Sequence, residues 1–316
     1  MSIKEETPPA APVGARAMTG AEWGMLGLLS LFWGGSFLFN GIAVREVPVF
    51  TIVAFRVLLG AAALHVMLRV AGIPLPLDGR SLTAYLGMAI LNGSLPFCLI
   101  VFGQTRIASG LASILNATTP IFTMLLAHFA LSGEQLDLRR TTGVLLGFAG
   151  VVVLFSGRSA SGGEWLGLLA CIGGAISYSF ANIFGRLFIQ GRAHPTALAT
   201  GQLTFAALIM VPIALATDRP FSLPVPSGSA VLALVLLALV STAAAYTLFF
   251  RILTRAGATN ASLVTLLIPC SGILLGVIFL GEALAWQEIL GFLVIAAGLL
   301  VIDGRIVGFF RARPKA

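Results

Sequence analysis

Arg56 is the one charged residue that falls well inside an otherwise uncharged apolar run. Seven residues past the start of that run, at 1.5 Å per helical residue, it lies about 10 Å deep. A guanidinium keeps its charge at any accessible pH and presents parallel N–H donors that match a carboxylate. At that depth it can hold the carboxylate of an amino acid or another organic anion. The alternative is snorkelling toward the interface, or bonding to carbonyls at a helix break.

Amides and hydroxyls buried in apolar segments form the second group. Proline removes the hydrogen bond to the carbonyl four residues earlier. For Pro96, Pro120 and Pro269 that carbonyl belongs to Asn92, Asn116 and Thr265, so each kink sets a freed acceptor beside a polar side chain. Ser113, Asn116 and Pro120 fall on one helical face, and Ser262, Thr265 and Pro269 repeat the spacing. These two faces are expected to line a central cavity, with the three prolines as hinges. Such hydroxyls and amides also hold helices together in membranes, an equally ordinary role.

Further candidates are Trp33, Ser36, Asn40, Tyr85, Ser177, Tyr178, Asn182, Ser241, Thr242 and Tyr246. Ser36 and Asn40 stand four residues apart, as do Tyr178 and Asn182, so each pair is expected to point inward together. The aromatics can pack against an apolar substrate side chain, or serve as helix packing and interfacial anchors.

No Asp or Glu lies in the middle of an apolar run, which leaves no embedded carboxylate as a proton site. His65 and His128 can titrate in principle, though a lone histidine in an apolar helix is more often packed and neutral. Cys98, Cys171 and Cys270 have neither metal-ligand nor redox spacing, so no disulfide, metal or cofactor is expected. The expected mode is a facilitator or exchanger driven by the substrate gradient.

These residues must be positioned by membrane-spanning helices. Only 10% of the 316 residues are charged and 58% are hydrophobic, against roughly 25% charged in a soluble domain. Apolar runs lie near 23–43, 49–69, 82–104, 109–131, 141–156, 164–185, 196–216, 229–250, 258–280 and 287–303. Ten spans of about 20 residues leave no room for a separate catalytic domain. The runs are continuous rather than alternating, which excludes a barrel. Residues 1–20 are polar and lack the apolar core of a cleaved signal peptide. The net charge of +7 is scattered without a basic stripe, so no nucleic-acid partner is expected.

Arginine and lysine instead report sidedness. Lys4, Arg16, Arg69, Arg80, Arg139, Arg140, Arg186, Arg192, Arg251, Arg255, Arg305, Arg311, Arg313 and Lys315 fall on the tails and one set of loops. Only Arg45, Arg106, Arg158 and Arg219 fall on the other. The positive-inside rule places both termini in the cytoplasm.

The chain also repeats. Residues 106–120 (RIASGLASILNATTP) match residues 255–269 (RAGATNASLVTLLIP) at an offset of 149. Further on, Gly133 and Glu134 pair with Gly281 and Glu282, Gly143 with Gly291, and Gly150 with Gly298. A duplicated unit of five spans must cross in opposite senses, and the charges agree: Arg139 and Arg140 follow the fourth span, Glu282 and Glu288 the ninth. Inverted repeats are the basis of alternating access. The expected organisation is a tail (1–22), a first five-helix repeat (23–157), a second (164–304) and a basic tail (305–316). Gly20, Gly24 and Gly27, and likewise Gly143, Gly147 and Gly150, have small-residue spacing for close helix approach. The fifth and tenth spans are expected at the periphery or in contacts, and a homodimer is an open possibility.

The order of these motifs resembles a known family. Trp33-Gly34-Gly35-Ser36-Phe37, Pro48 followed by Arg56, the Ala-Ser to Pro stretches of the fourth and ninth spans, and the two Gly-Glu pairs are similar to the drug/metabolite transporter superfamily, EamA type. The resemblance implies ten helices in two EamA repeats and export of small metabolites, often amino acids, across the bacterial inner membrane. Aromatic amino-acid exporters of the YddG kind are similar members, which favours aromatic and large neutral substrates. Other cargoes remain open: a sugar nucleotide or phosphate ester calls for several cavity cations where Arg56 stands alone, and drugs are a further class. Gly34-Gly35-Ser36 resembles half of a serine-protease elbow, but no partner histidine motif or pair of mid-span aspartates supports an intramembrane enzyme.

Overall fold

The computed structural model describes residues 18–131, 136–156, 163–188 and 194–303. Lys4, Arg16, Gly133, Glu134, Arg158, Arg192, Arg305, Arg311, Arg313 and Lys315 lie outside the described residues, as do most of the expected N-terminal tail and the whole of the 305–316 tail.

The described chain is helical throughout: α1 Gly20–Ala43, α2 Val49–Ala71, α3 Gly79–Gln104, α4 Ser109–Ala130, α5 Leu138–Phe155, α6 Glu164–Phe188, α7 Pro195–Thr217, α8 Gly228–Ala256, α9 Val264–Leu280 and α10 Trp286–Asp303. Among the described residues, nine of these are at least 18 residues long and apolar enough to cross a bilayer. α9 has 17 residues and is preceded by one helical turn, Ala258–Ala261. The chain is a multi-pass membrane protein. Large apolar side chains such as Leu58, Leu145, Leu208 and Phe279 point outward, as contact with lipid requires.

Helix ends follow local chemistry. Thr19 and Glu22 cap α1 reciprocally, and Asp78, Asp137 and Ser227 accept backbone N–H groups at the starts of α3, α5 and α8. Gly72 (φ 64°) ends α2 and Gly281 (φ 66°) ends α9, both in the left-handed region that glycine enters without strain.

Packing respects the duplication. Exchange of α1–α5 for α6–α10 maps the most extensive contacts onto one another: α1 on α9 becomes α6 on α4, α1 on α8 becomes α6 on α3, and α3 on α7 becomes α8 on α2. α2–α7, α4–α9 and α5–α10 are self-paired. Two apolar clusters result, one built chiefly from α1, α4, α6 and α9, the other from α2, α3, α7 and α8, and Tyr178 packs against both.

Glycines set the closest approaches. A Cβ on Gly143 or Gly298 would meet the other's carbonyl oxygen or its flanking chain, and one on Gly150 would meet Ile295 and the Gly291 oxygen, so α5 and α10 touch backbone to backbone. Gly34 sits against Ser271 and Gly272 of α9, where Ser30 Oγ meets Ser271 Oγ at 2.8 Å. Gly20, Gly24 and Gly27 differ from expectation: nothing lies within 4 Å of the position a Cβ would take.

α3 and α8 each contain a six-residue π-helical stretch, Ala89–Ser94 and Leu239–Ala244. Pro96 begins the helical half that follows in α3. Without an N–H it cannot donate to the Asn92 carbonyl, so a wider turn costs little there. Its counterpart in α8 has no proline. Pro120 likewise opens the second half of α4, after a break at Ala117 and Thr118, whereas Pro269 lies inside α9.

Candidate functional site

Arg56 is only 7% exposed. Its Nε–H donates to Thr242 Oγ1 at 2.9 Å, and its guanidinium carbon lies 3.6 Å from the centroid of the Phe97 ring. Phe97 in turn meets Tyr178 edge-on, with centroids 6.5 Å apart. Thr242 is positioned by the π stretch of α8, where its hydroxyl donates to the Leu237 carbonyl at 2.8 Å while accepting from Arg56.

A second set of polar groups adjoins Tyr246. Its oxygen accepts from Gln202 Nε2 at 2.9 Å and from Asn92 Nδ2 at 3.0 Å, and Asn92 Nδ2 also reaches Gln202 Oε1 at 3.3 Å. Asn92 belongs to the π stretch of α3, whose Leu91 carbonyl is satisfied from α6 by Ser177 Oγ at 2.8 Å. Arg56, Asn92, Tyr178 and Tyr246, expected from separate spans, are thus brought together.

The charge balance decides what this cluster can do. Taking a guanidinium out of water costs several kcal/mol. The Phe97 face returns on the order of 1–2 kcal/mol, and the Thr242 hydroxyl is a neutral acceptor. Among the described residues Arg56 has no carboxylate partner. An anion bound here would face a cation already desolvated and oriented.

Other candidates lie elsewhere. Ser113 is fully buried, donates to the Gly110 carbonyl at 2.7 Å and packs on Gly272 of α9. Asn116 is half-buried, and its backbone carbonyl is taken by Thr119 Oγ1 at 2.7 Å. Ser262 is exposed, and Thr265 bonds to its carbonyl at 2.7 Å. Ser36 bonds back to the Trp33 carbonyl at 2.6 Å, and Trp33 packs on Phe249, with centroids 5.3 Å apart. Tyr85 is buried against Gly201 and Phe205 of α7. Asn182 is exposed and bonds to Thr123 of α4 at 3.2 Å, so it and Tyr178 do not act together.

Asn40 joins a different cluster, at the end of the bundle where α3 passes into α4. Its Nδ2 donates to Gln104 Oε1 at 3.1 Å, and Gln104 Nε2 donates to the Phe37 carbonyl at 2.8 Å and Ser109 Oγ at 3.0 Å. A cleft of about 300 Å³ opens here, lined by Arg45, Gln104, Ser109 and Glu282 among others.

Helix starts at this end are capped across the halves. Pro48 and Ala108 give α2 and α4 no side-chain cap of their own. Asp218, after α7, accepts Thr51 N–H at 2.8 Å and its hydroxyl at 2.9 Å. Glu282, after α9, accepts Ser109 N–H at 2.7 Å and Gly110 N–H at 2.9 Å. Glu46, after α1, accepts both the N–H and the hydroxyl of Ser227 at 2.6 Å. Each carboxylate meets the positive end of a helix dipole from the other half. At the opposite end Asp78 and Asp137 cap their own helices.

Gln202, Phe97 and Gln104 were not read from the sequence as site residues. Gln202 carried a usable signal, an amide in the interior of a 23-residue helix whose other uncharged polar side chains are threonines. Phe97 carried none, because nothing local separates it from the other phenylalanines.

A model of the EamA-like transporter family matches the chain twice, over residues 22–156 and 165–303. The uncharacterized transporter YoaV of Bacillus subtilis is 26% identical over 88% of this chain and 95% of its own length. The uncharacterized inner membrane transporter YedA of Escherichia coli is 28% identical over 92% and 93%. A probable amino-acid metabolite efflux pump of Salmonella typhimurium is 28% identical over 92% and 95%. One solved crystal structure aligns with 88% of this chain and 95% of its own at a TM-score of 0.63 and 20% identity, a likeness of fold.

Proposed function

Because the chain belongs to the EamA-like transporter family, on two matches that together cover most of its length, we propose that it exports small carboxylate-bearing metabolites, amino acids first among them, across the bacterial inner membrane. The observation that carries this reading is Arg56, a buried guanidinium stacked on Phe97 and bonded, among the described residues, only to a neutral hydroxyl. Neighbouring aromatics suit a substrate with an apolar or aromatic side chain. The name of the Salmonella relative, an amino-acid metabolite efflux pump, agrees in chemical class.

Transport proceeds by alternating access between two halves inserted in opposite senses, with both termini cytoplasmic. The symmetric helix pairing supports exchange of conformations between the halves. The three cross-half carboxylate caps support closure at the end that carries Glu46, Asp218 and Glu282. Cysteines placed at Gly133 and Gly281 label from opposite compartments on this reading; labelling from the same one removes it.

Uptake by purified protein in liposomes against amino acids, nucleosides, sugars and cationic dyes tests the substrate. Amino acids with aromatic or large neutral side chains are expected to respond. A response to cationic dyes alone overturns the assignment.

A further inference from the structure

The two halves offer unequal groups at one equivalent position. α2 and α7 are both 23 residues long and pack on each other, and Arg56 and Gln202 are the eighth residue of each. Both are buried, Gln202 to 2% exposure. Each engages the π stretch of the other half's third helix: Arg56 donates to Thr242 of α8, and Gln202 accepts from Asn92 of α3. Asn92 and Thr242 are themselves the fourth residues of their six-residue stretches. The duplication therefore built one site with two arms, and the arms have diverged to a cation in one half and an amide in the other. Tyr246, four residues after Thr242 on α8, bonds to both Gln202 and Asn92 and so ties the helix that holds Arg56 to the amide arm.

We infer that Gln202 is the specificity-determining counterpart of Arg56, with its amide oxygen and that of Asn92 receiving the ammonium group of a zwitterion whose carboxylate lies on Arg56. This rests on the carboxylate reading proposed above. A neutral arm accepts an ammonium without a second buried ion, and it offers no cation to a second carboxylate. The preferred ligand is thus an amino acid with a single carboxylate. Gln202 Oε1 has an acceptor position to spare, because among the described residues it accepts a single long hydrogen bond, from Asn92, and a carbonyl oxygen takes two.

The test measures binding to purified protein by calorimetry with three probes of one skeleton: L-phenylalanine, 3-phenylpropanoate, which lacks the amine, and 2-phenylethylamine, which lacks the carboxylate. The wild-type protein is expected to bind phenylalanine at least about tenfold more tightly than phenylpropanoate, the size of a charge-assisted hydrogen bond. Gln202→Leu is expected to bring that ratio close to one. Gln202→Glu, which keeps an acceptor oxygen of the same reach, is expected to keep or raise the ratio, and it serves if the leucine variant does not fold. An unchanged ratio in the leucine variant, or a ratio near one in Gln202→Glu, overturns the assignment of Gln202 while leaving the carboxylate reading in place. If the wild-type protein binds neither carboxylate probe, the carboxylate reading itself fails.

Discussion

Glu282 and Ser109 are 173 residues apart, yet the Glu282 carboxylate accepts the Ser109 backbone N–H at 2.7 Å. Its second oxygen holds Gly110, so the chain after α9 supplies the cap that Ala108 cannot. The closure of one end of the bundle is written in helix termini.

Glu282→Gln removes the negative charge and leaves one acceptor where two were used. A lost cap is worth about 1 kcal/mol, enough to raise the open population several-fold. A cysteine at Leu280, on the wall of the cleft, in a background without the native cysteines, should react correspondingly faster with a water-soluble maleimide. An unchanged rate rejects the closing role.

The Glu46 contact carries a pH sign. Its hydrogen bonds from the Ser227 hydroxyl and backbone hold the carboxyl below the usual carboxylate range. A depressed acid contributes its stabilisation above the ordinary value and loses it as pH falls through the lowered one. Labelling at Leu280, taken relative to a permanently exposed cysteine so that the loss of reactive thiolate cancels, should rise on acidification into that range. Glu46→Gln should remove this component of the pH dependence; a variant with the wild-type profile contradicts it.

Removing the buried cation should affect binding more than folding. Truncating one member of a buried charge pair costs on the order of 2–5 kcal/mol, so Arg56→Leu should weaken a carboxylate ligand at least about thirtyfold. Arg56→Lys keeps the charge without the fork or the stacking plane and should fall between the two. Calorimetry on the folded variants decides it, and equal affinity in all three proteins excludes Arg56 from the ligand.

The glycines divide by position. Gly298→Val places a side chain against the Gly143 backbone and should lower the thermal midpoint in detergent, at a cost of about 1–3 kcal/mol. Gly24→Ala meets open space and should hold or slightly raise it. Equal destabilisation by both refutes close approach of α5 and α10 as the reason for their glycines.

With no Asp or Glu in mid-span, counterflow of the substrate between liposome and medium should proceed at the same rate with and without a protonophore. Dependence on an imposed pH gradient contradicts the facilitator or exchanger mode.

The helices were legible because lipid demands long apolar runs, and each of the ten expected runs corresponds to a helix. That another helix comes close to α5 was legible in the spacing of Gly143, Gly147 and Gly150; that the helix is α10 was not, because spacing names no partner. Local spacing failed where tertiary packing chose a side chain's direction: Tyr178 turns to Phe97 while Asn182, four residues on, turns to Thr123. The spacing of Gly20, Gly24 and Gly27 misled for the same reason, since a motif for close approach needs a helix to approach. The π stretches were hidden because only α3 carries a proline beside them; in α8 the wide turn is held by Thr242 reaching back to Leu237.

A π stretch carries one residue more than an α-helix needs for the same turn. Resorbing that residue corkscrews everything downstream by about 100° and 1.5 Å, with no helix unfolded. Asn92 and Thr242 ride on these two surpluses, so rewinding α3 carries Asn92 away from Gln202, and rewinding α8 carries Thr242 away from Arg56. Either polar contact between the halves can part while the other stays bonded.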